Sequence, residues 1–383
     1  MNPRLTRQEL IRRATFGAAL VSIPGFAAAC GGDSGGGSAS KEEFAKTFCF
    51  SNWTFYIDVD DKTKQRPTLE EFKQKFGVNV VYTEDINSNS EYFGKIQGPL
   101  SRGQSIDRDL IVLTDNERYL SVMIDRDWAE KLDKDAIPNI SNLVDVQKSP
   151  PFDPDREFSL PWQSGMTGIA YDAKQTKPIT SIDQLLEDPD LKGRVTMLDN
   201  FSDSLGIVML ANGDDPSKVT DESFNSALER VKAASDSGQI RRFTGNDYTG
   251  PLSNGDLKAA LAWSGDIVQL QADNANLKWG IPKQGGMIWT DNMLIPKGGN
   301  VYTASVYMNY VYDPKVAAKL AAYINYVTPV KGAKEELAKT DPETANNQLI
   351  FPTEETLSQV HQIDPAALKN VEYQEAWQAV LGA

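Results

Sequence analysis

The chain has 383 residues, 39 Lys+Arg against 53 Asp+Glu for a formal net charge of −14, one His and two Cys. That length suits two domains of ~150 residues, and an apolar share of 40% with 7 Trp, 13 Tyr and 15 Phe supplies real cores, which excludes a disordered chain. The acidic excess argues against nucleic acid as a partner and favours cationic ligands. A lone His361 excludes sites built on two imidazoles and argues against a Ser-His-Asp hydrolase.

Residues 1–29 read as an export signal. Arg4, Arg7, Arg12 and Arg13 form a basic head, and Ala14 to Ala29 an apolar stretch broken by Gly17, Pro24 and Gly25. That stretch is shorter than the roughly 20 residues a spanning helix needs. It ends in Ala27-Ala28-Ala29-Cys30, which resembles a bacterial lipobox with Ala27 in place of the usual Leu. Arg12-Arg13-Ala14-Thr15-Phe16 resembles a twin-arginine signal with Phe16 one place late. Cys30 is therefore the expected lipidation site, and Gly31 to Ser40 a flexible tether of ~17 Å average span. Without residues 1–29, which hold four Arg and Glu9, the net charge becomes −17.

From Phe44 onward, apolar runs alternate with helical periodicity, the pattern of α/β architecture. Phe48–Trp53 is an expected strand, with Cys49 a buried strand residue and not a nucleophile. Thr68-Leu69-Glu70-Glu71 predicts a capping box opening a helix that Gly77 stops after Phe76. Val78–Tyr82 and Leu110–Leu113 are the next strands, followed by a helix over Tyr119–Ile124. Phe158–Tyr171 reads as strand pairs broken at Pro161 and Gly165. Arg194–Leu198 predicts a strand, Leu205–Ala211 a helix, and Glu222–Ser235 an amphipathic helix facing inward with Phe224, Leu228 and Val231. Ala259–Trp263 and Lys278–Pro282 are further strands, Gly286–Ile295 an extended crossing segment, and Val316–Tyr326 and Ala366–Leu381 late helices.

In open α/β sheets ligands bind beyond the carboxyl ends of strands. Four segments stand out, Asn52 to Asp58, Asp199 to Asp203 and Ala262 to Asp266 after expected strands and Ile288 to Asn292 in the crossing segment. Three of them set a Trp or Tyr within a few residues of a carboxylate, which suits an organic ammonium: the ring face attracts the cation by about 0.5–2 kcal/mol, and the carboxylate supplies charge-assisted hydrogen bonds. Taken singly, each segment also fits a core Trp beside a capping Asp, the reading that applies to Trp128, Trp162, Trp279 and Trp377. Asp58, Asp60 and Asp61 read as a solvated loop, because the spacing lacks the downstream Gly and Glu of a calcium site.

Together, Asn52-Trp53-Thr54-Phe55-Tyr56, Tyr82 to Asn87, Asp109 to Val112, Phe158 to Trp162, Gly193-Arg194-Val195, Trp263-Ser264-Gly265-Asp266, Trp289-Thr290-Asp291 and Asn309 to Pro329 carry a resemblance over about Phe48 to Gln378. The sequence resembles the spermidine/putrescine-binding lipoproteins of polyamine ABC importers, within the periplasmic binding protein superfamily. The resemblance implies a two-lobed type II α/β fold with its ligand between the lobes. Residues 44–158 with about 293–325 would form one lobe, 159–292 the second, and 326–383 C-terminal helices completing both; 30–43 would be lipidated Cys and tether. It further implies that Trp53, Thr54 and Tyr56 form a wall, Trp263 and Trp289 sandwich the methylenes, and Tyr326 closes one end. Asp291 and Asp266 would take amines, and Asp203 falls where spermidine binders carry Glu. Asn200 stands where those binders have Asp, and Thr114 and Asn116 where they have Ser and Tyr.

The function expected is therefore a polyamine-binding lipoprotein that hands putrescine or spermidine to ABC permease subunits. It would be anchored outside the cytoplasmic membrane and monomeric, with no cofactor, metal or catalytic residue. The alternative is an iron(III) or other organic-cation binder of the same superfamily; iron binders typically use clustered tyrosines, and no adjacent Tyr-Tyr pair occurs.

Overall fold

The computed structural model describes residues 43–382, so the signal, Cys30 and the tether lie outside the described residues. Among the described residues ten strands appear in chain order: β1 (Thr47–Trp53), β2 (Asn79–Ile86), β3 (Leu110–Thr114), β4 (Ser159–Asp172), β5 (Val195–Leu198), β6 (Ile240–Thr244), β7 (Ala259–Trp263), β8 (Leu277–Gly280), β9 (Gly286–Leu294) and β10 (Val360–His361). The chain divides into two compact units, one of residues 43–165 with Trp289–Leu357, the other of Met166–Ile288 with 358–382. It passes from one unit to the other inside β4, inside β9 and after Leu357.

In the first unit, β1 pairs in parallel with β2 and β3, and β3 pairs antiparallel with the end of β9, Thr114 opposite Asp291. β1 is buried on both faces from Phe48 to Trp53, Cys49 included, which explains its unbroken apolar run. Helices Pro67–Phe76 and Val301–Val311 close one side through Phe48, Phe72 and Tyr307, whose ring centroids lie 5.1–6.1 Å apart. The expected capping box is not formed. The helix starts at Pro67 with Arg66 as an uncapped N-cap, and Asp58 takes over by accepting from the Thr68 amide at 3.0 Å and from its hydroxyl. Asp58 is thus a buried helix-terminal acceptor and not part of a solvated loop, unlike Asp60, whose Oδ1 accepts from Lys62 and Thr63 in an open turn. The pairs of short strands expected over Phe158–Tyr171 are one 14-residue strand. Pro161 lacks only a donor, and its carbonyl accepts from Tyr312 Oη at 2.8 Å.

In the second unit, β4 runs antiparallel to β7 and to β8, and β7, β5 and β6 follow in parallel order. β10 pairs with the start of β9. Helix Phe201–Asn212 springs from β5 and helix Ser264–Gln271 directly from β7. Helix Asp221–Asp236 buries Phe224, Ala227 and Val231, while Leu228 sits at the margin. The late helix expected over Ala366–Leu381 is broken at Asn370 into Pro365–Lys369 and Val371–Leu381, because the Asn370 side chain caps the second piece.

Candidate functional site

Each unit assembles an acid–aromatic group: the first from the tips of β1 and β3 and the middle of β9, the second from the tips of β5 and β7 and the helices that follow them. In the first, a register shift between Asn52 and Trp53 ends the β1 ladder, and Phe55 follows with φ 61°. Asn52 braces this turn: its Oδ1 accepts from the Trp53 amide at 2.9 Å, and its Nδ2 donates to the Tyr56 carbonyl at 3.4 Å. Tyr56 is thereby turned inward, and its hydroxyl donates to Asp291 Oδ2 at 2.6 Å. Thr114, at the end of β3, donates its hydroxyl to Asp291 Oδ1 at 2.6 Å. Asn89 holds Thr114 in turn, accepting from its amide at 3.1 Å. The buried Asp291 carboxylate is therefore aimed by two neutral hydroxyls, which orient it without cancelling its charge.

Beside it, Tyr326 meets Tyr56 edge-on at 5.1 Å and Trp289 at 5.7 Å, ring centre to ring centre. Tyr326 reaches this place because helix Pro314–Ile324 stops at Asn325, a left-handed residue with φ 60°. It therefore lies beyond the helix, which the sequence pattern extends through it. Trp53 is buried at the tip of β1, and Thr54 half-buried in the turn after it. Asn116 is buried two residues past β3.

In the second unit, Asn200 is the N-cap of helix Phe201–Asn212. Its Oδ1 accepts from the Asp203 amide at 2.8 Å and from Ser202 Oγ at 3.0 Å. Its Nδ2 donates to Asp203 Oδ2 at 3.1 Å, and Trp263 Nε1 donates to the same oxygen at 3.2 Å. Asp266, in the first turn of helix Ser264–Gln271, accepts from Asn246 Nδ2 at 2.8 Å and Tyr248 Oη at 2.7 Å. Tyr248 Oη also accepts from the Trp263 amide at 3.0 Å. Burial and the neighbouring Asp266 push the Tyr248 hydroxyl well above its usual pKa, so it remains a donor. Both carboxylates sit in the first turn of a helix. Trp263 joins them: its ring nitrogen serves Asp203, and its backbone reaches Asp266 through Tyr248.

Sequence reasoning missed Asn89, Asn246 and Tyr248, polar partners that only tertiary pairing brings to the carboxylates. Trp128, Trp162 and Trp377 are buried as expected of core residues, and Trp279 is half-buried with its Nε1 on the Ala262 carbonyl. Among the described residues no cluster of three or more His, Cys, Asp or Glu could hold a metal ion. No described helix is long and apolar enough to cross a membrane.

Buried acids and aromatics grouped in each unit of a mixed α/β frame suit a solute-binding protein, and solved structures carry the same fold. The spermidine/putrescine ABC transporter substrate-binding protein PotD from Streptococcus pneumoniae aligns with TM-score 0.65 at 22% identity, covering 87% of this chain and 100% of that one. The Tp0655 lipoprotein of Treponema pallidum aligns with TM-score 0.71 at 22% identity, covering 88% and 100%. The chain belongs to the bacterial extracellular solute-binding protein family, which it matches over residues 68–352. The family binds solutes and does not catalyse. The spermidine/putrescine-binding periplasmic protein of Escherichia coli K12 is 27% identical over 349 residues, covering 90% of this chain and 94% of that protein.

Proposed function

We propose that this protein binds a polyamine, putrescine or spermidine, and delivers it to the permease of an ABC importer. The observation that carries this reading is Asp291, a buried carboxylate aimed by two neutral hydroxyls beside the rings of Tyr56, Trp289 and Tyr326. A buried carboxylate rewards a cation brought to it, and flanking rings favour an ammonium carried on a hydrocarbon chain. Trp53, Thr54, Tyr56, Thr114, Trp289, Asp291 and Tyr326 would serve from the first unit, and Asn200, Asp203, Trp263 and Asp266 from the second. Relatives named for spermidine and putrescine binding support the same substrate class.

Export, attachment of acyl chains at Cys30 and a monomeric state belong to this proposal as well. The test is a tryptophan-fluorescence titration of the exported protein with putrescine, spermidine, agmatine and ferric citrate. Saturable quenching by an amine is expected; a response to iron alone would overturn the reading.

A further inference from the structure

Gly165 lies on β4 directly under the two rings proposed to receive the amine. A Cβ built on it would stand 2.4 Å from Trp289 Cζ2, 2.5 Å from Trp289 Cη2 and 2.8 Å from Tyr326 Cε1. Ordinary contact begins near 3.4 Å, so the smallest possible side chain would drive the indole away by about 1 Å.

Backbone movement cannot absorb that clash, because both rings are tied to the residue next door. Ser164 exchanges two backbone hydrogen bonds of 2.8 Å with Val327, which fixes the chain beside Tyr326. The Ser164 hydroxyl also lies 2.8 Å from that of Thr290, beside Trp289. Gln147 Nε2 donates to Thr290 Oγ1 at 2.8 Å and to Ser164 Oγ at 3.3 Å. Thr290 is further locked to Asp115 by paired bonds of 2.8 and 2.9 Å. The rings themselves would have to rotate.

We propose that Gly165 is a positioning residue for ligand recognition: its missing side chain is the seat on which Trp289 and Tyr326 stand beside Tyr56, whose hydroxyl holds the Asp291 carboxylate. The Ser164–Thr290–Gln147 clamp keeps seat and rings in register. This rests on the polyamine reading only for the identity of the ligand. Asp291 is also anchored by the β3 ladder and by the Thr114 hydroxyl. Shifting the rings therefore changes the spacing between charge and ring face, which a short diamine cannot follow.

The experiment is a set of variants of the full chain: Gly165→Ala, Trp289→Leu, the two combined, and Gly94→Ala as a control. Gly94 lies in helix Asn89–Ser101 with nothing within 4 Å of its built Cβ. Putrescine and spermidine affinity is measured by calorimetry, the indole environment by near-ultraviolet circular dichroism, and stability by melting temperature. Gly165→Ala is expected to weaken both amines tenfold or more and to change the aromatic dichroism before ligand is added, while Gly94→Ala changes neither.

In the Trp289→Leu background, where the two closest contacts are gone, Gly165→Ala should lower the melting temperature much less than in the wild type. Should Gly165→Ala alone fail to fold, recovery of folding in the combined variant supports the seat, and failure there overturns it. Wild-type affinity and dichroism in Gly165→Ala would also overturn it. If the wild type binds no amine, the ligand assignment fails, yet the dichroism and the rescue still decide the role of Gly165.

Discussion

Asp291 concentrates the chemistry of the first unit at one residue. Its two oxygens accept from Tyr56 and Thr114 at 2.6 Å each, bonds that set direction and leave the charge in place. Asp291→Asn keeps the volume and deletes the charge. Hydrogen bonds to charged groups contribute about 1.5–3 kcal/mol, so affinity for a diamine should fall roughly 10- to 150-fold in calorimetric titration. Asp60→Asn, in an open turn, should leave it unchanged.

A second carboxyl, Asp58, shows what burial does where no ligand is involved. Desolvation raises its pKa from the usual 3.8 despite the hydrogen bonds from Thr68. Between the unfolded and the folded value, the folded protein therefore holds a proton that the unfolded chain has released. That contribution to stability is complete below about pH 3.8 and is lost as pH rises through the folded value. Asp58→Asn should thus gain stability relative to wild type as pH rises above about 3.8, read from urea midpoints. A pH-independent difference would show that the carboxyl is not titrating there.

Among the elements, the junction of β5 with helix Phe201–Asn212 links folding to the site. Asn200 caps the helix and, with the same side chain, holds Asp203 under Trp263. Asn200→Ala should destabilise the second unit by about 1 kcal/mol in a urea titration, and Asn200→Ser should retain most of the cap. A neutral Asn200→Ala would mean that the cap contributes nothing.

Strands buried on both faces were legible in the sequence, as β3 and β7 illustrate, because a short continuous apolar run has to be covered from both sides. β6 was not legible: Arg241 and Arg242 point to solvent and mask its apolar ends. Helix Asn89–Ser101 was hidden by Gly94, Gly98 and Pro99, and Val301–Val311 by being buried almost all round, which leaves no polar face to give a period. Among the candidate residues, the acids and aromatics stood out because they lie close together in sequence, as Trp263 with Asp266 and Trp289 with Asp291 do. Their orienting partners did not: Tyr248 lies 18 residues from Asp266, and Tyr56 lies 235 from Asp291. Gly165 read as a strand breaker because a sequence does not reveal which rings approach a glycine.

For the whole molecule, the net charge of −14, which becomes −17 if residues 1–29 are cleaved, suits the capture of cations. If Cys30 carries the anchoring acyl chains, Cys30→Ser should leave binding intact and release the protein from the membrane fraction. Pelleting of that variant with membranes would contradict the anchor. Ligand capture itself stabilises the folded chain by mass action, about 2.7 kcal/mol at a free concentration 100-fold above Kd. The decisive measurement is calorimetric titration of the wild-type protein with putrescine and with 1,4-butanediol, which matches its carbon chain and lacks its charge. Saturable one-to-one binding of the diamine with no detectable binding of the diol is expected, because a neutral diol offers buried carboxylates no opposite charge. Equal binding of the two, or of neither, would contradict a site built to hold an ammonium.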